Sequence, residues 1–323
     1  MKTPIWKQIQ RQNFTNWKEL FSFLEIKDEK EFHLKPNFPL NLPRRLAEKI
    51  RKNTIEDPIL RQFVPLKEER IVSPDFRSDP VCDQEFRKEK KLLHKYQGRA
   101  LLLSTSACAM HCRFCFRQNF PYETQQKGFE KELQAIAGDP SLIEIILSGG
   151  DPLSLSNKEL AELILDLSSI PHLKILRFHT RFPIGIPERI DPEFLAILAS
   201  CRLQIFFVVH VNHPLELDEE VLLALKPIKQ LGIPLLTSSV LLKGVNDTVP
   251  VLKALFEKLI EQGIMPYYLN QLDQVQGGKH FEVDEAKGLE LIAELKKQLP
   301  GYAVPKYVKE IAHERQKTEV ILL

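Results

Sequence analysis

Cys108-Ala109-Met110-His111-Cys112-Arg113-Phe114-Cys115 follows an apolar run, Arg99 to Thr105, that predicts a buried β-strand. Cysteine thiolates bind iron–sulfur clusters, and a cubane cluster ordinarily takes four of them. The other two cysteines, Cys82 and Cys201, do not lie in a local pairing motif. A cubane bound by Cys108, Cys112 and Cys115 would leave one iron with an open position, as a catalytic metal site requires.

Two other uses of clustered thiols are open to this sequence. A zinc site with three cysteines needs a fourth ligand, and His111 lies inside the stretch, although liganded neighbours on both sides would crowd it. A disulfide framework is typical of small secreted domains, whereas this chain has 323 residues and five cysteines. The spacing therefore favours an iron–sulfur cluster over zinc or unliganded buried thiols.

The composition, 43% hydrophobic and 27% charged, is that of a globular protein with a sizeable core. The first residues, MKTPIWKQIQRQNF, contain no apolar segment of signal-peptide length. No apolar run reaches the roughly 20 residues that span a bilayer. Together with the free thiols, these features favour a cytoplasmic protein without a membrane partner.

The net charge of +2 is unevenly distributed along the chain. Residues 1–100 contain 22 Lys and Arg against 15 Asp and Glu, whereas the remainder contains 23 against 28. A basic segment is compatible with an acidic partner. No basic and aromatic stripe repeats there, so a solvated helical surface is favoured over nucleic-acid binding.

Residues 1–98 are expected to form a helical accessory region, with amphipathic helices at 16–24 and 42–52 separated by proline-rich connections. From Arg99 the pattern alternates strand and helix. Strands are predicted at 99–105, 143–148, 173–179, 203–210, 234–242 and 266–272. Helices are predicted at about 128–138, 157–169, 191–200, 218–231, 248–262 and 283–298, the second beginning with a capping box of Ser156 and Glu159.

Apolar strands that alternate with amphipathic helices indicate an α/β fold with a parallel sheet covered by helices. Six βα units are too few to close an eight-stranded barrel, so residues 99–300 are expected to form a partial, open (β/α)6 barrel. Residues 301–323 are expected to form a C-terminal segment.

Functional groups of such barrels cluster at the carboxyl ends of the strands. Cys108 follows the first predicted strand, and polar or glycine residues follow the later ones. These are Ser148, Gly149, Gly150, Asp151, His179, Arg181, His210, Asn212 and Asp273, with Ser238 and Ser239 inside the fifth strand. Glycine has no Cβ and tolerates positive φ, so Gly149 and Gly150 would let the backbone approach a ligand closely; alone, the pattern also fits a tight βα turn.

The C-terminal segment contains Lys317 in the run Gln316-Lys317-Thr318-Glu319-Val320. Lysine binds pyridoxal phosphate covalently when its pKa is lowered. Taken alone, Lys317 is more typical of an ordinary solvent-exposed lysine than of a catalytic one.

Across residues 90–323 the chain resembles the lysine 2,3-aminomutase family, radical S-adenosylmethionine enzymes that depend on pyridoxal phosphate. The resemblance is carried by HKYQGRALLL, CAMHCRFCFR, LSGGDPL, HVNHP, SVLLKGVND, PYYLNQLD and QKTEV, in this order. It implies a partial (β/α)6 radical-SAM barrel. Within that family the chain more resembles the short form that makes β-lysine for modification of elongation factor P, since it is without the carboxyl-terminal extension of the longer enzymes.

The resemblance implies a role for each matching position. Cys108, Cys112 and Cys115 correspond to the ligands of a [4Fe-4S] cluster. The S-adenosylmethionine set is Ser148, Gly149, Gly150, Asp151 and His210. The pyridoxal phosphate set is Lys317, as the covalent attachment point, with Tyr96, Arg99 and Lys95 at the phosphate. The substrate set is Arg117 for the carboxylate of L-lysine, with Asp273 and Glu310 for its distal ammonium.

Two positions depart from the longer aminomutases. Glu310 replaces an aspartate, which predicts a pocket of different depth, and Ser238 replaces a glutamine near S-adenosylmethionine, which leaves that contact open. The implied reaction is 2,3-amino migration, an isomerisation, with a flavodoxin or ferredoxin as electron donor. Three alternatives are open. The substrate could be another amino acid such as glutamate, or it could be a protein-attached lysine, with elongation factor P or its ligase docked on the basic region. The third alternative is a non-catalytic iron–sulfur or zinc protein.

Overall fold

The structure is a computed structural model, and it describes residues 3–321. Within that range the helices are α1 (Ile5–Gln10), α2 (Trp17–Leu24), α3 (Arg44–Glu48), α4 (Pro58–Phe63), α5 (Glu130–Ala137), α6 (Asn157–Ser169), α7 (Phe182–Gly185), α8 (Pro192–Ser200), α9 (Glu219–Gln230), α10 (Val249–Glu261) and α11 (Glu285–Gln298). The strands are β1 (Arg87–Glu89), β2 (Leu92–Tyr96), β3 (Arg99–Thr105), β4 (Glu144–Gly149), β5 (Ile175–Thr180), β6 (Gln204–His210), β7 (Leu235–Val240), β8 (Met265–Asn270), β9 (Lys306–Lys309) and β10 (Thr318–Glu319).

All ten strands form one sheet in chain order, β1 to β10. Strands β3 to β9 are parallel, and antiparallel strands extend both ends of the sheet. The six predicted strands are confirmed as β3 to β8, each followed by at least one helix. The sheet is open because its strand order is linear, which confirms the partial (β/α)6 barrel.

The structure corrects three details of the sequence prediction. A seventh parallel strand, β9, lies in the C-terminal segment. Helix α3 is shorter than the predicted 42–52, since Leu42 pairs with Phe14 in an antiparallel bridge and the helix extends only from Arg44 to Glu48. Strand β8 ends at Asn270, two residues short of the predicted 272 and three before Asp273; the backbone turns at Asp273 itself, where the Val275 amide donates to the Asp273 carbonyl at 2.7 Å.

Helix α6 shows how local sequence and packing agree. The Ser156 hydroxyl accepts from the Glu159 amide, and the Glu159 side chain accepts from the Ser156 amide, as the capping box predicts. Four apolar side chains recur at helical spacing and are buried. They are Leu160, Leu163, Ile164 and Leu167. This buried stripe holds the helix in the hydrophobic core that also contains Leu147 and Leu176 of the sheet.

The N-terminal helices share this hydrophobic core. Trp6 is 1% exposed, and its ring meets that of Phe182 edge to face with 5.5 Å between centroids. Arg45 of α3 pairs with Glu188 at 2.9 Å, and Lys49 pairs with Asp218 at 2.7 Å. Part of the basic excess of residues 1–100 is therefore neutralised by acids of the barrel. In the part of the chain that the structure describes, every helix is too short or too polar to cross a membrane.

Candidate active site

The cysteine loop, residues 106–118, leaves the carboxyl end of β3 and is bound on its outer side by the N-terminal region. The Asn13 side chain donates to the Ala109 carbonyl at 2.7 Å, and that of Asn41 donates to the Cys108 carbonyl. The His111 amide donates to the Asn41 carbonyl at 3.0 Å. Residues 1–98 therefore fix the backbone on which the three thiols are mounted.

The thiols of the cysteine loop fit a cluster better than a single zinc ion. Cys108, Cys112 and Cys115 are free and partly buried. Within residues 3–321 they do not form a group whose ligand atoms all lie within 4.8 Å of one another, whereas sulfurs about 2.3 Å from one tetrahedral zinc would be closer together than that. The His111 ring stacks on Phe38, and its Nδ1 forms a hydrogen bond with the Pro39 carbonyl at 2.8 Å. The contacts of this ring are therefore with the N-terminal region.

The other two cysteines have neighbours of their own. The Cys82 sulfur lies within 4.8 Å of ligand atoms of Glu85 and His313. The Cys201 sulfur lies 3.7 Å from the Ser168 hydroxyl. Neither thiol is part of the cysteine loop, which leaves three sulfurs for a cluster there.

Gly149 and Gly150, at the end of β4, lie directly against the cysteine loop. A Cβ at Gly149 would be 2.9 Å from the Thr105 carbonyl oxygen, and one at Gly150 would be 2.3 Å from that of Ala107. Gly149 also has φ +111°, which favours glycine. The close approach that these glycines permit is thus to the loop backbone, and contact with a ligand at the same edge stays a prediction.

Asp151 connects the carboxyl ends of β4 and β5. Its carboxylate accepts from the Thr180 hydroxyl at 2.7 Å and from the amides of Leu153, Arg181 and Phe182 at 3.0, 2.7 and 3.0 Å. These donors satisfy a buried charge that would otherwise be costly. Asp151 therefore holds the rim of the barrel mouth together.

Two histidine nitrogens in the barrel interior have no partner. The Nε2 atoms of His179 and His210 are buried without a hydrogen bond to any described residue. Burial lowers the pKa of both imidazoles well below the usual value, and for His179 the charge of Arg177 adds to the effect. Buried polar atoms are ordinarily hydrogen-bonded, so these two fit a polar ligand in the mouth, where His210 also stacks on Phe114.

Arg117, predicted to receive the substrate carboxylate, is oriented by a residue that sequence reasoning missed. Its Nε donates to Asp83 at 2.8 Å, and both side chains are 8% exposed. Its Nη1 donates to the Ser148 hydroxyl at 3.4 Å. Nη2 forms no hydrogen bond within residues 3–321, so it is the donor that the arrangement leaves for an incoming carboxylate.

Glu310 joins the predicted phosphate and substrate sets. The Tyr96 hydroxyl donates to one carboxylate oxygen, the Lys95 ammonium lies 2.8 Å from the same oxygen, and the Lys317 ammonium lies 3.5 Å from the other. Burial alone would raise the pKa of Glu310, but these neighbours, Lys317 foremost, hold it below its usual value. Lys95 and Tyr96, which were predicted at the phosphate, therefore contact Glu310, which was predicted to receive the distal ammonium of lysine.

Lys317 is held by Asn270, another residue that sequence reasoning missed. Its amine donates to Asn270 Oδ1 at 2.9 Å, and the Asn270 amide nitrogen donates to the Ser238 hydroxyl at 2.9 Å. Lys317 and Arg99 line one cavity of about 300 Å³. The other lining residues are Tyr268, Lys306, Val308, Gln316 and Glu319. A nucleophilic amine beside two further cations fits a phosphate-bearing carbonyl compound.

Asp273 and Glu310 line a second, acidic cavity of about 420 Å³. Further carboxylates there belong to Glu282, Asp284 and Glu285. Burial raises the pKa of Asp273 to about 6; Glu310 and Asp83 add to the rise, and Lys317 and Lys95 oppose it. The cavity fits a cationic ligand group.

The structure thus brings together most of the predicted residues. Arg117 bonds Ser148, and Lys317 contacts Glu310, which in turn contacts Lys95 and Tyr96. Asp83 and Asn270, which sequence reasoning missed, bond Arg117 and Lys317 respectively, and Arg181, predicted at the end of the third strand, bonds Cys112. Neither Asp83 nor Asn270 could be paired with its partner from sequence, since that partner is far away in the chain.

Comparisons with known proteins show which proteins the chain is similar to. A family model described as a 4Fe-4S single cluster domain matches residues 97–179, which include β3, the cysteine loop and β4. The chain is 39% identical over 319 residues to the L-lysine 2,3-aminomutase of Haemophilus influenzae, covering 97% of this chain and 94% of that protein. It is 40% identical over 311 residues to the L-lysine 2,3-aminomutase of Escherichia coli K12, covering 94% and 91%. A weaker likeness in fold is to anSMEcpe with bound AdoMet, at 14% identity and a TM-score of 0.47, covering 61% of this chain and 56% of that one.

Proposed function

The chain belongs to the L-lysine 2,3-aminomutase family, and from this premise we propose that it is a radical S-adenosylmethionine isomerase that converts L-α-lysine to β-lysine. The observation that carries the proposal is the convergence of three groups at the carboxyl ends of one parallel sheet. These are the cysteine loop after β3, the Lys317 amine on Asn270 at the end of β8, and the acids Asp273 and Glu310. Each separately fits many functions, but together they match one reaction.

The enzyme uses a [4Fe-4S] cluster, S-adenosylmethionine and pyridoxal phosphate. Cys108, Cys112 and Cys115 would hold the cluster. The β4 edge from Ser148 to Asp151 and His210, whose Nε2 has no partner among the described residues, would contact S-adenosylmethionine, while Lys317 and Arg99 would hold pyridoxal phosphate. When bound, these groups supply radical hydrogen abstraction at C3 of lysine and a conjugated carrier for the migrating nitrogen.

The chain's own residues bind and orient lysine between these groups. Arg117, fixed by Asp83, offers Nη2 to the α-carboxylate. Asp273 and Glu310 receive the distal ammonium, and a carboxylate pair there selects lysine over glutamate, which has no distal cation. Asn270 keeps the Lys317 amine at a defined position beside Tyr268. A non-catalytic metal protein would have no need for the lysine, the acids or the unpartnered histidines.

Lys317 is expected to be the attachment point of pyridoxal phosphate. Borohydride reduction of the loaded enzyme followed by peptide mapping should label Lys317, since its amine lies in the cavity lined by Arg99. Lys317→Ala should remove the label and the pyridoxal absorbance while the iron content stays unchanged. A label on Lys306 or Lys309 in the wild-type enzyme would show that the attachment point is misassigned.

The pH dependence is expected to report Asp273. Its pKa of about 6 means that the carboxyl becomes protonated as pH falls through 6, and a neutral carboxyl does not pair with the ammonium of lysine, which stays charged below pH 10. The kcat/KM for lysine should therefore fall about tenfold per pH unit below 6, because this ratio reports the free enzyme. In Asp273→Asn the residual kcat/KM should no longer fall as pH drops below 6. If the same fall persists in that variant, Asp273 is not the group responsible for it.

In the cell the product is proposed to supply the β-lysine that modifies elongation factor P. The sequence likeness to the short form supports this, and the Haemophilus influenzae and Escherichia coli relatives are matched over 94% and 91% of their lengths. A flavodoxin or ferredoxin is the proposed electron donor. Free lysine is favoured over protein-attached lysine because Arg117 is proposed to bind a free α-carboxylate. In addition, Arg45 and Lys49 of the basic region are already paired within the chain and so are not free to bind a docked protein.

A further inference from the structure

Arg181 lies immediately after β5 and reaches the cysteine loop. Its Nη1 donates to the Cys112 sulfur at 3.0 Å, and the residue is 6% exposed. The guanidinium carbon lies 4.5 Å from the ring centroid of Phe63 and 5.4 Å from that of Phe114. These two rings restrict the guanidinium to the position from which it contacts sulfur.

A buried acid opposes the charge of Arg181. Its Nη2 donates to Glu216 at 2.7 Å and to the Gln62 side-chain oxygen at 2.6 Å, and both partners are fully buried. The other Glu216 carboxylate oxygen accepts from the backbone amides of Asn212 and His213 at 3.0 and 2.9 Å and from the Gln62 side-chain nitrogen at 3.1 Å. The network therefore has one cation, one anion and fixed hydrogen bonds, and the cation is the member that contacts the cysteine sulfur.

We propose that Arg181 is a positioning residue that sets the reduction potential of the cluster bound by Cys112, and that Glu216 limits its effect. The inference rests on the proposed function, since it requires that cluster. The step concerned is the transfer of one electron from an external reductant to the oxidised cluster, with no covalent bond made or broken in the protein.

The direction of the effect follows from charge. The reduced cluster carries one more negative charge than the oxidised cluster, and hydrogen bonds to sulfur and local net charge set the potential of such clusters. A charge-assisted hydrogen bond from Arg181 stabilises the more negative, reduced state. Glu216 has the opposite effect through its negative charge. Both charges lie away from water, where salt screens them little.

The test is a redox titration of the reconstituted, pyridoxal-loaded enzyme with dithionite, in which the reduced cluster is followed by electron paramagnetic resonance without S-adenosylmethionine. Arg181→Gln should lower the ratio of reduced to oxidised cluster at a given solution potential about tenfold, which is about 59 mV for a one-electron couple. Glu216→Gln should shift the ratio in the opposite direction. Arg177→Gln is the matched control: its guanidinium pairs with Glu144 at 2.7 Å and does not bond a cysteine, so its potential should equal that of the wild type.

Shifts of opposite sign in the first two variants would support the proposal. An unchanged potential in either variant, or shifts of the same sign, would overturn it. If Arg181→Gln fails to retain iron, Glu216→Gln decides alone, because it leaves the guanidinium and its bond to Cys112 in place. If the wild-type enzyme itself forms no cluster, the proposed function fails, and that outcome is recognised before any potential is compared.

Discussion

Replacing any one of Cys108, Cys112 and Cys115 with alanine is expected to abolish both the cluster and the cleavage of S-adenosylmethionine. The chain offers only three thiols in the cysteine loop, and a cubane held by three cysteines has no spare ligand. Iron content, the ultraviolet–visible spectrum and release of 5′-deoxyadenosine after anaerobic reconstitution measure the loss.

Cys82→Ala and Cys201→Ala are the matched controls for this experiment. Their sulfurs lie beside Glu85 and Ser168 respectively, so both variants should retain iron and cofactor cleavage. A variant of the cysteine loop that still cleaves S-adenosylmethionine would contradict the assignment, as would loss of the cluster in either control.

Asp273→Ala is expected to lose lysine turnover by about 10²- to 10⁴-fold. Removing one partner of a buried ion pair costs about 3–5 kcal/mol because the other charge is left without a partner, and about 1.4 kcal/mol corresponds to a factor of ten. The cluster and uncoupled cleavage of S-adenosylmethionine should persist, since within residues 3–321 the Asp273 side chain forms no hydrogen bond or ion pair with the cysteine loop. Steady-state formation of β-lysine and of 5′-deoxyadenosine, measured in parallel, separates the two effects.

Asp284→Ala provides a comparison within the same cavity. Asp284 is exposed and lines the cavity with Asp273, but an exposed charge is screened and contributes little. Turnover in this variant should stay close to that of the wild type. Equal losses in the two variants would mean that the overall negative charge of the cavity, and not Asp273 itself, attracts lysine.

The sequence was sufficient to predict the barrel because its signals are local. Strands β3 to β8 are apolar runs, and the helices between them repeat apolar residues at helical spacing; the capping box of Ser156 and Glu159 needs only four consecutive residues. Strand β9 escaped prediction because Lys306 to Lys309 is short and half charged, and it becomes a strand by pairing with β8 on one side and β10 on the other.

The supporting residues of the site could not be predicted in the same way. Asp83 meets Arg117 across 34 residues, Asn270 meets Lys317 across 47, and Gln62 meets Arg181 across 119. Such contacts are made by the fold and leave no spacing pattern in the sequence.

Gly149 and Gly150 show what a glycine pattern leaves open. Their pattern predicted close approach of a ligand; the structure shows close approach of the cysteine loop backbone, and contact with a ligand stays a prediction. Glycine marks where a Cβ does not fit, but the sequence alone does not identify the neighbour that excludes it.

The most direct test of the account is to supply the reduced, reconstituted enzyme with free L-lysine and, separately, with elongation factor P carrying an attached lysine, and to detect β-lysine by mass spectrometry. We expect β-lysine from free L-lysine, with product formation requiring S-adenosylmethionine and pyridoxal phosphate and with S-adenosylmethionine not consumed in proportion to product. Product from protein-attached lysine alone would contradict the substrate assignment. Absence of β-lysine from both, in an enzyme that holds its cluster and cleaves S-adenosylmethionine, would contradict the proposed reaction itself.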